Sequence, residues 1–256
     1  MNLIAEIERK YQFVLLRSPY ELMAFNLVSE LFPKIIEFKT EGYRQEYGQF
    51  VLPFDSSDFV ASHLLLCEKQ NGGSLEPVLG FKSVTLEKCD QHQIHFPMLS
   101  MFDGEDPDSI YRLTIKSLID KYRSCGAGHK IAYNGSFTIS PKLRENKELM
   151  KHLWDVTFSL LTNYYIDYEI DHVVAVCATK FKVDKKKERL GWNYIEGEHG
   201  VLMPYVCKTF FNAPAVPMEL TNMKFKGKLC SEKFKSMWEN RLTLDVHHLY
   251  DVKKAA

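Results

Sequence analysis

The sequence has no net charge, because its 33 Lys and Arg residues are balanced by 33 Asp and Glu residues. No overall field therefore draws the chain to nucleic acid or to an anionic membrane surface, and we expect no nucleic-acid partner. The sequence also has no apolar run near the roughly 18 residues of a spanning helix. Its first stretch, MNLIAEIERKYQ, carries acidic residues inside its only apolar part. We therefore expect a cytoplasmic protein without a membrane span.

The sequence also lacks a C-x-x-C pair, and its cysteines are widely scattered. This spacing favours neither a disulfide framework nor a zinc ribbon, and we expect no metal cofactor. Cysteine is among the residue types most often buried, so we expect most of these thiols to be reduced and in the core. The six cysteines are Cys67, Cys89, Cys125, Cys177, Cys207 and Cys230.

A hydrophobic fraction of 45% in 256 residues is enough for a sizeable core, and the patterning predicts one α/β domain. Residues 10–17 read as a first strand. Ser18, Pro19 and Glu21 then give the signals of a helix start, and we expect that helix to end between Pro33 and Phe38.

The remaining pattern predicts further alternation of strands and helices. Apolar runs on either side of an NGG turn predict a hairpin, and a helix is expected at 107–123. A strand at 129–140 and the longest helix, 144–165, follow. The run HVVAVCAT at 172–179 is nearly all apolar, which is typical of a strand buried on both faces.

This element order, together with the string ERLGW at 188–192, resembles the GNAT N-acyltransferase superfamily. The resemblance implies an α/β fold with a mixed central sheet flanked by helices, formed by residues 1–211. It also implies that the strands at 131–139 and 172–179 are parallel and then splay apart. Residues 212–256 are expected to form a C-terminal extension that packs on this domain or mediates contacts such as a homodimer.

Within the superfamily, the first half is similar to the acyl-homoserine-lactone synthases and the N-acyl amino acid synthases. The order of Lys34 and Phe38, Gly42-Tyr43, Asp55 and Asp58, and Gly80 carries this resemblance. Lys34 stands where that family has arginine, Tyr43 where it has tryptophan, and Lys82 near a further arginine. The strand sequence Tyr133–Phe137 lacks the glutamate and arginine of the lactone-forming enzymes, which favours a more distant acyltransferase.

The resemblance implies an N-acyltransferase that moves an acyl group to a small-molecule amine acceptor. The donor would be acyl-CoA or the phosphopantetheine of an acyl-carrier protein. Acyl transfer needs a base for the amine and a stabilised oxyanion. Asp55 and Asp58 are candidates to orient or deprotonate the amine, and Asn134 and Ser136 to hydrogen-bond the thioester carbonyl. The alternative interpretations are an exposed turn for the aspartates and a β-bulge at Gly135 for the strand.

In the GNAT fold, the loop after the fourth strand binds the pyrophosphate of the donor at a helix N-terminus. Here Lys147 and Leu149 occupy positions where the superfamily has small residues, so the basic side chains would bind phosphate through their charge. An ordinary solvated helix start is the alternative. The candidate donor-binding residues are Ile139, Ser140, Lys142, Leu143, Arg144, Asn146 and Lys147.

Lys187 stands where many members of the superfamily have a tyrosine that acts as the acid. The same substitution supports a second hypothesis, a catalytically silent GNAT-like domain that binds a ligand or a partner. A third hypothesis is an unrelated α/β or α+β domain. The direction of the strands at 131–139 and 172–179 distinguishes it from the other two.

Overall fold

The computed structural model describes residues 3–102, 106, 108–126, 129–198, 200–207, 212–221 and 228–247. Within these ranges, no helix combines the length and the apolar character that crossing a membrane requires. The described residues form two compact units. The first is drawn from Met1–Ser83, Ser136–Tyr164 and Leu229–Ala256, and the second from Val84–Gly135 and Tyr165–Lys228.

Helices connect most of the strands, as an α/β fold requires. They are α1 (Leu3–Lys10), α2 (Pro19–Leu22), α3 (Asn26–Tyr47), α4 (Ser57–Val60), α5 (Leu86–Gln91), α6 (Pro97–Ser100), α7 (Ile110–Ser124), α8 (Pro141–Arg144), α9 (Lys147–Asp167), α10 (Val183–Glu188), α11 (Lys228–Lys233) and α12 (Lys235–Glu239), with a 3-10 turn at Thr179–Phe181.

The strands range from two-residue pairs to the long hairpin strand. They are β1 (Tyr11–Arg17), β2 (Ser62–Lys69), β3 (Leu75–Thr85), β4 (Ile131–Ile139), β5 (His172–Ala178), β6 (Asn193–Tyr194), β7 (Glu196–Gly197), β8 (Gly200–Val201), β9 (Tyr205–Cys207), β10 (Ala213–Leu220) and β11 (Leu242–Leu244).

In the first unit, β1 pairs parallel with β11 and antiparallel with β2, which forms the predicted hairpin with β3. The apolar face of α3 packs on this sheet. Fully buried aliphatic side chains stabilise such a layer by about 1.5–3 kcal/mol each. The buried members of this core are Val14, Leu16, Leu22, Val28, Leu31, Phe32, Ile35, Leu65, Cys67 and Leu244.

In the second unit, β5 is buried along its whole length and pairs on both sides, as its apolar sequence predicts. It lies parallel to β4 on one side and antiparallel to β10 on the other. The parallel pairing joins Ile131–Tyr133 to His172–Val174, whereas β5 stays paired with β10 as far as Ala178. Among the described residues of this unit, Asn134 and Gly135 have left the pairing with β5. The parallel direction and the separation of the two strands are thus both confirmed.

The helix predicted from Ser18 begins where expected, but it is interrupted after Leu22 and its predicted end was wrong. The chain forms the short helix α2, and α3 then runs from Asn26 through Pro33 to Tyr47. Ser18 has a left-handed backbone (φ 48°) and makes no side-chain cap. Pro33 removes one helix hydrogen bond, but the buried stripe that continues through Ile35, Phe38 and Tyr43 outweighs this loss.

The segment after residue 211 does not simply follow a finished domain. Its first strand, β10, pairs with β5 from Ala215 to Leu220, and its last described strand, β11, pairs with β1. The predicted boundary, between residues 211 and 212, adjoins residues 208–211, which lie outside the described residues.

The five cysteines that the structure describes are free thiols, four of them buried and Cys125 exposed. The expectation of reduced core thiols is confirmed for those four. The side chain of Cys230 lies outside the described residues.

Gly42 on α3 provides a test of the packing between this helix and β4 within the first unit. A Cβ atom on Gly42 would lie 2.4 Å from Cγ2 of Thr138. Overpacking typically costs about 1–3 kcal/mol, while alanine gains about 1 kcal/mol over glycine in a helix. We expect Gly42→Ala to lower the free energy of unfolding by up to about 2 kcal/mol in urea titrations.

Thr138→Ser is the matched background, because it removes the contacting methyl group and keeps the hydroxyl. In that background Gly42→Ala should be neutral or stabilising by up to about 1 kcal/mol. An equal loss in both backgrounds would contradict the contact.

Candidate functional site

Asp58, at the start of α4, is the centre of a buried charge network in the first unit. Its side chain is completely buried. Its Oδ2 lies 2.8 Å from Nζ of Lys82 on β3, and its Oδ1 accepts a hydrogen bond from Nζ of Lys39 on α3. Both lysines are also buried. One carboxylate therefore ties a helix and a strand to the loop that carries it.

Asp55 forms the solvent-facing side of this network. Both of its carboxylate oxygens lie 3.0 Å from Nζ of Lys82, and Oδ1 also accepts hydrogen bonds from the backbone and hydroxyl of Ser57. Its side chain is 57% exposed, in contrast to that of Asp58. The structure thus brings the two predicted aspartates together on one lysine and gives them different access to solvent.

The network keeps Asp58 ionised. Burial opposes its charge, but Lys39 and Lys82 hold the pKa of Asp58 well below its usual range. Burial likewise favours a neutral Lys82, yet the charges of Asp58 and Asp55 raise the pKa of this lysine. Burial lowers the pKa of Lys39 to about 8 against the attraction of Asp58.

His63 and Tyr43 are neutral groups that lie beside the network. His63 Nε2 donates a hydrogen bond to the Asp58 carbonyl oxygen at 2.7 Å, and burial lowers the pKa of His63 to about 4. Burial also raises the pKa of Tyr43, whose hydroxyl is hydrogen-bonded to Ser136 on β4. Ser136 is therefore the predicted site residue of β4 that lies near this network in the first unit.

The lysine that meets the aspartates from α3 is Lys39. Lys34, at the position of the family arginine, instead bonds the Leu75 carbonyl oxygen at 3.2 Å and Glu76 at 3.4 Å. Lys39 shares a buried helix face with Ile35, Phe38 and Tyr43. The spacing of these residues would have identified Lys39 as part of the buried face if the predicted helix had continued past Phe38.

An open apolar groove of about 540 Å³ lies along the outer face of α3 in the same unit. Phe54 and Phe59, which flank the two aspartates in sequence, form one wall, and Glu37, Glu41 and Arg44 supply charge. The full lining is Phe32, Pro33, Ile36, Glu37, Thr40, Glu41, Arg44, Phe54 and Phe59.

The strand β4 is irregular where the catalytic candidates lie. Ser136 has a left-handed backbone with φ 57°, a conformation that costs a non-glycine residue energy. A Cβ on Gly135 would lie 2.4 Å from the Tyr133 ring. In the second unit, the buried Asn134 places its Oδ1 3.5 Å from Nζ of Lys187.

The candidate donor loop lies in the first unit and is partly closed by its own hydrogen bonds. The Ser140 carbonyl accepts from the amides of Leu143 and Arg144, and the Leu143 carbonyl accepts from Asn146. Asn146 Oδ1 caps α9 by accepting from the Leu149 amide at 3.0 Å. These amide groups are therefore occupied within the loop.

The side chains of this loop fall into three groups, which are buried, paired with α3 or exposed to solvent. Ile139 and Leu143 are buried, and the backbone amide of Ser140 bonds the Val78 carbonyl at 2.8 Å. Arg144 is paired with Glu46 of α3. Lys142 and Lys147 are exposed and are the loop cations that face solvent.

Among the described residues, no group of three or more His, Cys, Asp or Glu side chains is placed to hold a metal ion.

Removing the charge of Asp58 tests the network directly. Asp58→Asn leaves Lys39 and Lys82 buried without their shared counter-charge, and breaking a buried pair in this way costs about 3–5 kcal/mol. We expect that loss in the free energy of unfolding at pH 7. Asp55→Asn is the matched control and should cost about 1 kcal/mol or less, because Asp55 is exposed and Lys82 keeps Asp58.

The effect of Asp58→Asn on the free energy of unfolding should change with pH in a defined direction. The pKa of Asp58 is lowered on folding, so its contribution is present above its unfolded pKa of about 4 and is lost as the pH falls further. The difference between wild type and Asp58→Asn should therefore shrink below about pH 4. A difference that stays constant to pH 2 would refute the ionised state.

His63 predicts a second pH effect, in a higher range. Its pKa falls to about 4 on folding, so the unfolded chain binds more protons than the folded one between about pH 6.5 and 4. Stability should therefore fall as the pH falls through this window. Urea titrations at pH 7.5 and 4.5 should show a loss about 2–3 kcal/mol larger in wild type than in His63→Gln. Equal losses would mean that His63 is protonated in the folded state.

No family model matches the sequence, and no curated protein matches it. Solved structures do match its fold. The chain is similar to the acyl-homoserine-lactone synthase LasI, at 14% identity and a TM-score of 0.50, over 87% of this chain and 93% of LasI.

It is also similar to two CoA-dependent acyl-homoserine lactone synthases. BjaI, in a structure with SAM and isopentyl-CoA, matches at 12% identity and a TM-score of 0.51, over 88% of this chain and 90% of BjaI. MesI matches at 13% identity and a TM-score of 0.50, over 88% of this chain and 95% of MesI. The chain thus has the mixed α/β, GNAT-like fold of these synthases, as its element order predicted.

Proposed function

We propose that this protein is an N-acyltransferase that moves an acyl group from acyl-CoA or acyl-carrier protein to a small amine acceptor. The observation that carries the proposal is the Lys39–Asp58–Lys82–Asp55 network. It contains Asp55, Asp58 and Lys82, three of the residues on which the resemblance to the acyl-homoserine-lactone synthases rests. The similarity to the fold of LasI, BjaI and MesI supports the same function.

Asp55 is the group we assign to the acceptor. Its carboxylate is half-exposed, and Lys82 and Ser57 hold it in one orientation. A carboxylate fixed in this way binds an ammonium group and takes a proton from it, which frees the nitrogen lone pair to attack the thioester carbonyl. Asp58 is buried and does not contact the acceptor. It positions Lys82, and Lys82 in turn orients Asp55.

The groove beside α3 suits an acceptor with an apolar part. Its aromatic wall, Phe54 and Phe59, continues directly from the aspartates in sequence. Glu37 and Glu41 at its edge favour a cation over an anion. An amine with an aliphatic or aromatic substituent satisfies both features.

Lys142 and Lys147 are the groups we assign to the donor. Because several loop amides are occupied internally, these exposed ammonium groups supply the attraction for the phosphates of CoA or of a phosphopantetheine arm. Arg144 already neutralises Glu46 and holds the loop against α3.

The direct test is release of free thiol from acyl-CoA or acyl-carrier protein in the presence of a panel of amino acids and hydrophobic amines, with the amide product identified by mass. We expect turnover that requires both substrates. Asp55→Asn should lower kcat by about 100-fold or more, as expected for a lost general base. Asp120→Asn, which removes an exposed carboxylate from α7, is the control and should have no effect.

The donor assignment has its own readout. Lys142→Ala and Lys147→Ala should each raise KM for acyl-CoA by about tenfold with little change in kcat, since each removes about 1.4 kcal/mol of charge-assisted binding. Lys235→Ala, an exposed lysine of α12, should leave KM unchanged. Binding of CoA in a calorimetric titration without any turnover would instead support the silent ligand-binding domain, and neither binding nor turnover would refute both.

A further inference from the structure

Lys187, on α10 in the second unit, is a buried lysine in contact with a buried cysteine. Its Nζ is hydrogen-bonded to the thiol of Cys177 on β5. Lys187 is 8% exposed and Cys177 is 3% exposed. Burial to this degree is rare for lysine. The amine and the thiol are therefore held against each other with little contact with bulk water.

The other polar and aromatic contacts of Lys187 are with neutral groups of the same unit. Its Nζ lies 3.8 Å from the centre of the Trp192 ring and 3.5 Å from Oδ1 of Asn134. A ring face and an amide oxygen fix the position of the Lys187 nitrogen. Neither of them supplies a full negative charge.

The carboxylates nearest in sequence have other partners. Asp184 accepts a hydrogen bond from the Tyr194 hydroxyl at 3.2 Å, and Glu188 pairs with Lys185 at 2.9 Å. Within the described part of the chain, no carboxylate forms a salt bridge with Lys187. Burial lowers the pKa of Lys187, which favours its neutral amine. A neutral amine has a free lone pair and is a nucleophile.

The same contact changes the reactivity of Cys177. Burial raises the pKa of the Cys177 thiol, and Lys187 acts in the opposite direction. The thiol can pass its proton along the hydrogen bond to the amine, which leaves a thiolate beside an ammonium group. The thiolate is the form of cysteine that a peroxide oxidises. Lys187 therefore serves Cys177 first as a base and then as the nearest nucleophile.

We propose that Cys177 and Lys187 are a peroxide-sensitive pair that closes into a covalent sulfenamide bond between Sγ and Nζ. The Cys177 thiolate attacks one oxygen of hydrogen peroxide and the oxygen–oxygen bond breaks. Sulfur is oxidised to a sulfenic acid, and the released hydroxide takes a proton from the Lys187 ammonium group to give water. The neutral amine then attacks Sγ, and the sulfur–oxygen bond breaks. The leaving hydroxide takes a proton from nitrogen.

The balance of this reaction is thiol plus amine plus hydrogen peroxide to sulfenamide plus two waters. Sulfur is oxidised and the peroxide is reduced, so no further co-reactant is needed. The inference goes beyond the proposed acyl transfer and does not rest on it.

The surroundings of Cys177 favour this product over a disulfide. A sulfenic acid condenses with the thiol or the nitrogen that lies against it. The five cysteines that the structure describes are free thiols, whereas the Lys187 amine is hydrogen-bonded to Cys177. An added thiol can attack the sulfur and release the amine. The pair is thus a reversible, redox-sensitive tie between α10 and β5.

The test is oxidation of the purified, reduced protein with hydrogen peroxide, followed by proteolysis and mass spectrometry. We expect two peptides joined between Cys177 and Lys187, lighter by about 2 Da than the sum of the separate peptides, because the link removes two hydrogens. Dithiothreitol should separate them. The same treatment in urea, where the contact is lost, should give no joined pair.

Variants separate the two roles of the lysine. Lys187→Met and Cys177→Ser should give no joined pair, and peroxide should consume the Cys177 thiol about tenfold more slowly in Lys187→Met, because the thiol has lost its base. Lys185→Met and Cys125→Ser are the matched controls, which remove an exposed lysine from the same helix and the exposed thiol. Both should form the link as wild type does.

The wild-type result decides the inference even if a variant fails to fold. Cys177 that stays reduced after Cys125 has been oxidised would overturn it. Recovery of Cys177 as a sulfinic acid or a disulfide without the joined pair would do the same, as would a joined pair that forms equally in urea. A pair heavier than expected by about 16 Da would hold an oxygen between nitrogen and sulfur, which overturns the direct bond. None of these outcomes depends on whether the protein transfers acyl groups.

Discussion

The first unit depends on the burial of one carboxylate charge. Asp58 is completely enclosed, and Lys39 from α3 and Lys82 from β3 reach it from two elements that are distant in sequence. Asp58 is the counter-charge of Lys39 and shares Lys82 with Asp55, and each of these buried charges would be unfavourable in the interior without a partner. The position of α3 on the sheet, the path of the loop at 55–58 and the orientation of Asp55 all follow from this constraint.

The fold was largely predictable because its signals are local. The NGG turn between two apolar runs specified the β2–β3 hairpin, and the unbroken apolar run of β5 specified a strand paired on both sides. The first helix was misjudged because Pro33 is a strong stop signal and the packing of α3 on β1 and β2 is not visible in the sequence. That error also concealed Lys39, which follows the buried face only if the helix continues to Tyr43.

The site residues divide in the same way. Asp55 and Asp58 were found through the resemblance, because both lie in one short segment of the sequence. The sequence did not show that one is exposed and the other enclosed, since burial depends on residues from α3 and β3. Lys187 was identified only as a missing tyrosine. The contacts of its buried side chain are with Trp192, Cys177 and Asn134, which come from three separate segments of the sequence.

The pairing of β1 with β11 has a consequence for folding on the ribosome. It joins Val14–Leu16 to Leu242–Leu244, so the sheet of the first unit lacks this edge until nearly the whole described sequence has been made. Domains rich in such distant contacts fold slowly. During synthesis, β1 and the β2–β3 hairpin are made long before β11, so the edge of β1 stays unpaired until then. Unpaired strand edges are sites of aggregation. The yield of folded protein should therefore depend on the rate of synthesis and on chaperones more strongly than the stability of the folded state alone would suggest.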